Sequence, residues 1–252
     1  MIALRRGGER HYDRSSKREV WLTFNRQDPT DPLADGFGAL EILNETRLSP
    51  GAGVPRHPLQ DAEIITYVRA GALAFEDSRG QSGVIPAGEF QCVSAGRALR
   101  YRDTNASRSD AAHILQILLY PTQMELEPSR EQKRFSTAQR RGVLCLVASP
   151  DGRGQSLRIR QDTLIYSSLL DPGQHVVHQL SPARRAWLHV VEGEAALGED
   201  VLTTGDGAGI QAERAVSVTA REVSEILLLD LGERTTRSDQ RGRLGNATGG
   251  SR

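Results

Sequence analysis

The chain has 252 residues, 38% of them hydrophobic and 25% charged, with 32 basic against 32 acidic side chains. That length suits one large domain or two of ordinary size, and the apolar share is enough for a substantial core. Zero formal charge counts against a nucleic-acid binder, which carries a basic excess, and no apolar run reaches the roughly 20 residues of a membrane helix. The opening segment, Met1-Ile-Ala-Leu-Arg-Arg-Gly-Gly-Glu-Arg10, has basic residues but no apolar signal segment behind them, so the expectation is a cytoplasmic protein. Its two cysteines, Cys92 and Cys145, then read as reduced and buried.

Strand patterns dominate the rest of the chain. Glu63-Ile-Ile-Thr-Tyr-Val-Arg69, Ala72-Leu-Ala-Phe-Glu76, Ile114-Leu-Gln-Ile-Leu-Leu-Tyr120 and Leu157-Arg-Ile-Arg-Gln161 are short and β-branched or alternating. Turn clusters separate them: Asp77-Ser-Arg-Gly80, Pro86-Ala-Gly88, Ser149-Pro-Asp-Gly152 and Asp171-Pro-Gly173. Frequent turns between short strands predict an all-β protein, a sandwich or barrel. One stretch, Pro128 to Gln139, reads as a short helix joining two halves. A weak repeat supports two halves. Tyr67-Val-Arg-Ala-Gly71-Ala-Leu-Ala-Phe returns 122 residues later as His189-Val-Val-Glu-Gly193-Glu-Ala-Ala-Leu, each copy a hairpin whose turn requires glycine. The expected organisation is a first unit over 1–125, a linker over 126–140, a second unit over 141–232 and a polar, disordered tail over 233–252. Asn246-Ala-Thr in that tail is a glycosylation sequon by pattern only.

The chemistry-bearing pattern is Gly51-Ala-Gly-Val-Pro-Arg-His57-Pro-Leu-Gln-Asp-Ala-Glu63, followed by Gly71 and then by Gly80 to Pro86 and Gly88. This is the layout of the two cupin motifs. Alternate residues of a strand share a face, so ligands at 57, 59 and 63 are expected to converge inside a barrel.

With Trp21-Leu-Thr-Phe24, Gly36-Phe-Gly-Ala-Leu40, Asp61-x-Glu63-Ile-x-Thr-Tyr-Val68, Pro86-Ala-Gly-Glu-Phe-Gln91, Ser94-Ala-Gly96, Gln132-x-Arg-Phe135, Ser149-Pro-Asp-Gly152 and Gln161-Asp162 added, the chain over residues 1–231 resembles the pirin-like bicupins, which include bacterial quercetinases. The resemblance implies two cupin-type barrels (double-stranded β-helix, jelly-roll) packed in tandem, a metal-binding N-terminal cupin and a C-terminal cupin that usually holds no metal. The family supplies His-x-His and then His-x-Glu as ligands. This chain departs from that set: the first pair reads His57-Pro-Leu59 and the second Tyr101-Arg-Asp103. Leu59 has no lone pair, and Tyr101 ligates only as phenolate, against an ordinary pKa of about 10. A non-haem iron triad needs two His and one carboxylate, so His57 and Asp103 fall short unless Glu63 is recruited.

The resulting expectation is a bicupin that has lost the family metal site, with no cofactor, acting as a non-catalytic small-molecule-binding or regulatory protein. Its ligand would be a small amphipathic or aromatic molecule held by His57, Leu59, Glu63, Tyr101 and Asp103, a protein partner remains open, and neither nucleic acid nor membrane is expected. The alternative is a metal-dependent quercetin 2,3-dioxygenase-like enzyme holding one divalent metal, iron, nickel, copper or zinc, on a rebuilt ligand set. His113 reads as a hydrogen-bonded barrel histidine, His175 and His178 as pointing to opposite faces of one strand, and His189 as packed. No nucleophile elbow, phosphate loop or dinucleotide fingerprint appears.

Overall fold

The computed structural model of the protein describes residues 1–54 and 57–232, with the side chains of residues 57–59 outside that description. The expected tail, 233–252, and its sequon lie outside the described residues. Among the described residues no helix is long and apolar enough to cross a membrane.

Among the described residues, alternating apolar and polar side chains give almost wholly antiparallel sheets, two of seven strands and two of four. In the first half the larger sheet runs in the order Ser129–Arg134, Glu89–Ser94, Glu63–Ala70, Ala112–Leu119, Leu40–Leu48, Arg18–Leu22, His11–Arg14. It packs on a four-stranded sheet of His57–Leu59, Leu99–Asn105, Ala72–Asp77 and Ser82–Pro86. In the second half Ile2–Arg5, Gly207–Gln211, Arg185–Glu192, Ser224–Leu231, Thr163–Leu170, Cys145–Ser149 and Leu157–Arg158 form the larger sheet. Its four-stranded partner is His175–Gln179, Ala215–Ala220, Glu194–Leu197 and Asp200–Thr203. Each half is thus a jelly roll of two facing sheets rather than a closed barrel.

The sequence repeat is structural. Glu63–Ala70 and Arg185–Glu192 occupy equivalent places 122 residues apart, and each turns into the next strand through a glycine, Gly71 at φ +73° and Gly193 at φ +88°. A Cβ at Gly71 would lie 2.6 Å from the Ala111 carbonyl oxygen, and one at Gly193 would collide with that of Val223. Glycine is required at both by dihedral and by space.

Two strands bear on how the halves join. Ile2–Arg5 pairs with Gly207–Gln211 in the second roll, Ile2 opposite Ile210 and Arg5 opposite Gly207. Ser129–Arg134, inside the supposed helical linker, pairs with Glu89–Ser94 as an edge strand of the first roll. Ser129-Arg-Glu-Gln-Lys-Arg134 has no apolar stripe to hold a helix, and its charges suit an edge. The helix shrinks to one turn, Thr137–Arg140, where Ser136 Oγ accepts from the Gln139 amide and the Gln139 side chain accepts from the Ser136 amide.

The two larger sheets bury their outer faces against each other. Ile65, Tyr67, Leu115, Ile117 and Phe90 of the first pack with Ile165, Trp187, Leu227 and Leu229 of the second in one core. Trp187 makes ring contacts with Phe24 at 4.9 Å and Phe37 at 5.7 Å, and Tyr67 stacks on Phe90 at 4.3 Å. Charges enter this face as bonded groups. Tyr67 donates to Glu225 Oε1 at 2.5 Å, which also accepts from Arg140 at 2.9 Å. Glu45 accepts from Arg10 at 2.8 Å and lies 2.7 Å from His113 Nε2. Burial pushes the Glu45 carboxyl up, but the bonds and charges of His113 and Arg10 outweigh it and bring it to about 2. His113 is therefore hydrogen-bonded as expected, but on the face turned towards the second roll. His189 lies fully buried with neither ring nitrogen partnered among the described residues, and burial and the Arg10 charge push it down to about 4. Both thiols are free, Cys92 buried and Cys145 half-buried.

Because one core serves both rolls, they are expected to unfold in a single calorimetric transition. Trp187→Ala should cost about 3–5 kcal/mol in chemical denaturation without splitting that transition. Two separated transitions in the parent protein would refute the shared core.

Candidate functional site

The two rolls are filled differently. The interior of the second is mainly aliphatic, with Leu170, Leu188, Val190, Ile210, Val218 and Leu228 among its buried members and one charged group, Asp230 paired with His178 and Arg184. The interior of the first combines aliphatic residues with Thr66, Asp77, Gln91, Asp103 and Gln116. Polar groups cost free energy inside a core unless bonded, and in the first roll they lie around the positions of the cupin motifs, which marks it as the place to look for chemistry.

The strand Leu99–Asn105 sets the site. In register, Leu99 lies opposite Leu59, Tyr101 lies between His57 and Asp77, and Asp103 lies opposite Phe75. Asp103 Oδ2 accepts from Gln116 Nε2 at 3.3 Å, and Gln116 reaches Thr66 Oγ1 at 3.5 Å. Arg130 enters from the edge strand. Its guanidinium carbon lies 4.0 Å over the Phe75 ring, Nη2 is 3.3 Å from Asp77 Oδ2, and Nη1 donates to Gln91 Oε1. Asp77 is held in turn by the amides of Arg79 at 2.9 Å and Gln81 at 3.0 Å.

Burial governs the titration here. It raises the Asp103 carboxyl to about 7, while the Arg130 charge and the Gln116 hydrogen bond pull the other way. It also raises the Tyr101 phenol, with the Asp103 charge acting in the same direction.

A cavity of about 630 Å³ opens onto this cluster between the larger sheet and the strand of Tyr101. Val20, Ile42, Val54, Ile64 and Leu118 form its apolar wall, Asn44, Thr46, Tyr101 and Gln116 its polar one, and Arg18, Arg26 and Glu41 stand among its charged residues. A larger groove of about 1110 Å³ runs along the second roll by Leu180–Arg185 and Gln211–Arg214, away from Tyr101 and Asp103, and two of its charged side chains are paired. Arg184 is bonded to Asp162 and Asp230, and Glu213 to the Met1 amino group. The smaller cavity is the better site.

Of the five residues expected to line a ligand site, Tyr101 and Asp103 come together, and His57 and Leu59 are placed beside them by backbone register. Glu63 does not join them. Its carboxylate accepts from Ser94 Oγ at 2.9 Å and from the Arg160 amide at 3.0 Å, on the face towards the second roll. The parity argument from 57 and 59 fails because Asp61, at φ +49°, breaks the strand, and Glu63 starts a strand in the other sheet. From there Glu63 shares the side of Ile65 and Tyr67, while Ile64 takes the cavity side. His175 and His178 reach Ser217 and Asp230, each at 2.7 Å, and share no site. Sequence reasoning missed Phe75, Asp77, Gln91, Gln116 and Arg130. The first two were findable as inward positions of an alternating strand; Arg130 was hidden by the helical reading of its segment.

The comparisons agree with this architecture. The pirin family profile matches residues 7–119, and the quercetinase C-terminal cupin domain matches residues 146–231. A quercetin 2,3-dioxygenase of Escherichia coli K12 is 38% identical over 231 residues, covering 92% of this chain and 99% of that protein. The chain belongs to the pirin family. As a pirin it superposes on the crystal structure of YhhW from E. coli with a TM-score of 0.87 at 37% identity, covering 94% of this chain and all of that one. A second structure of that pirin, in complex with nickel(II), gives 0.85 at 37% identity and covers 92% of this chain and all of that one.

The residues of this pirin do not fit such an ion. Position 59 offers no lone pair, burial keeps the Tyr101 phenol protonated, and Arg130 places a guanidinium in the same interior. Glu63, the carboxylate that would complete a triad, lies on the far face of the sheet.

Glu63 itself gives a pH test. Burial raises its carboxyl to about 7 against bonds from Arg160 and Ser94. A raised carboxyl contributes stability below its unfolded value, and that contribution is lost as pH rises from about 4 through 7. Glu63→Gln should therefore gain stability relative to the parent between pH 5 and pH 8, by at most about 3 kcal/mol in urea denaturation. Parallel stability curves across that window would show that Glu63 ionises normally.

Proposed function

We propose that this pirin acts on flavonol-type aromatic molecules in the cavity of its first roll, the chemistry for which its quercetin 2,3-dioxygenase relatives are named. The observation that carries the reading is the two-sided wall of that cavity. A flat polyphenol is apolar over its faces and polar around its edge. Val20, Ile64 and Leu118 offer the first kind of contact, and Asn44, Thr46 and Gln116 the second. At about 630 Å³ the cavity is of ordinary size for a small organic ligand. Near-full-length relatedness to the E. coli dioxygenase supports the same reading. The protein's own residues bind and orient the ligand, and Gln116, which lines the cavity, is itself held by the buried Asp103 carboxylate at 3.3 Å. Its small aromatic ligand would be met in the cytoplasm.

Binding without turnover is a second reading, favoured by Leu59 and Tyr101 standing where the family motif has histidines. One pair of measurements separates the two. Quercetin binding is followed by fluorescence, and quercetin-dependent oxygen uptake by electrode, in chelator-treated protein and after addition of iron, copper, manganese, cobalt or nickel. Uptake above the protein-free rate supports turnover; binding with no uptake leaves the second reading; no binding refutes both. Asn44→Leu, which removes one polar wall group, should weaken binding by about tenfold.

A further inference from the structure

Arg130 lies on an edge strand, a place where a long basic side chain ordinarily runs out to solvent. Here it turns inward, and the side chain is 9% exposed. Three contacts fix it: the face of Phe75, the carboxylate of Asp77 and the amide oxygen of Gln91. Phe75 and Asp77 lie directly across the ladder from Asp103 and Tyr101, the positions at which the family motif carries metal ligands. The Arg130 charge is felt at both of those residues, where it opposes the effect of burial. Guanidinium prefers stacked, forked contacts of this kind.

A roll interior with two aspartates favours a counter-charge beside them. In a metal-loaded cupin the ion supplies it. We propose that in this pirin the guanidinium of Arg130 takes the place of that ion, balancing Asp77 and stacking on Phe75 directly across the ladder from Tyr101 and Asp103, so that the first roll works without a bound divalent metal. Arg130 and a divalent cation exclude one another, because like charges repel strongly in an interior shielded from water. Charge and metal alone are at stake, whether or not quercetin is turned over.

The test reads nickel affinity by titration calorimetry on the full chain. Imidazoles are first restored by Leu59→His together with Tyr101→His, so that a donor set exists for Arg130 to oppose. In that background Arg130→Gln should raise nickel affinity by about tenfold or more, while Arg130→Lys, which keeps the charge, should leave it low. The unaltered protein, dialysed against nickel and then buffer, should retain less than about 0.1 nickel per chain by mass spectrometry. If removing the Arg130 charge changes affinity less than about twofold, the proposal is overturned. It is equally overturned if the unaltered protein holds stoichiometric nickel that His57→Ala releases. Should Arg130→Gln unfold the roll by leaving Asp77 unpaired, Arg130→Gln with Asp77→Asn is compared with Asp77→Asn alone, and the same tenfold gain is required. Oxygen uptake plays no part in the readout, so failure here is distinct from failure of the flavonol reading.

Discussion

Two seven-stranded sheets pressed face to face impose the constraint on which the rest of the molecule depends. A strand has two sides, and in the larger sheets one side is claimed by the shared core. Along Glu63–Ala70 the residues Ile65 and Tyr67 are committed to that core, leaving Ile64, Thr66 and Val68 for the interior of the roll. Any ligand site must therefore be built from the remaining side and from the smaller sheet. The N-terminal strand Ile2–Arg5 tightens the arrangement by completing a sheet of the second roll, while Ser129–Arg134 closes the edge of the first before the chain passes on. The charged groups caught between the sheets are bonded in pairs and triples, as at Tyr67, Arg140 and Glu225.

The same constraint explains how much was legible in the sequence. The all-β class and the repeat could be read because both are local: alternation within a strand, and a glycine at Gly71 and Gly193 where a Cβ would strike backbone. The closeness of Tyr101 and Asp103 was legible for the same reason, since both lie on one side of one strand. Glu63 was misplaced because parity does not survive a change of sheet. A single residue, Asp61, with positive φ sends the chain from the smaller sheet to the larger and reverses which side is inside. Arg130 was invisible for a different reason. Nothing in Ser129-Arg-Glu-Gln-Lys-Arg134 says which charge turns inward; that is decided by Phe75 and Asp77, some fifty residues earlier.

Why one roll is hollow and the other solid can be traced to a single cross-strand pair. In the first roll Thr66 and Gln116 are direct partners on the interior side of the larger sheet. The repeat carries Glu63–Ala70 onto Arg185–Glu192 and Ala112–Leu119 onto Ser224–Leu231, so the equivalent pair in the second roll is Leu188 and Leu228. Two leucines facing each other fill the space and need no partner, and both belong to the aliphatic core. Threonine and glutamine leave room and bring hydrogen-bonding groups that must be satisfied. Gln116 is satisfied by Asp103, Asp103 lies within the field of Arg130, and Arg130 is anchored on Asp77 and Phe75. Each polar group is tolerated because the next one answers it. The cavity is thus the open end of a chain of compensations that begins with two side chains in the sheet. The second roll has leucines in their place, which fill the same space by aliphatic packing, and the buried charge it does carry, Asp230, is paired with His178 and Arg184.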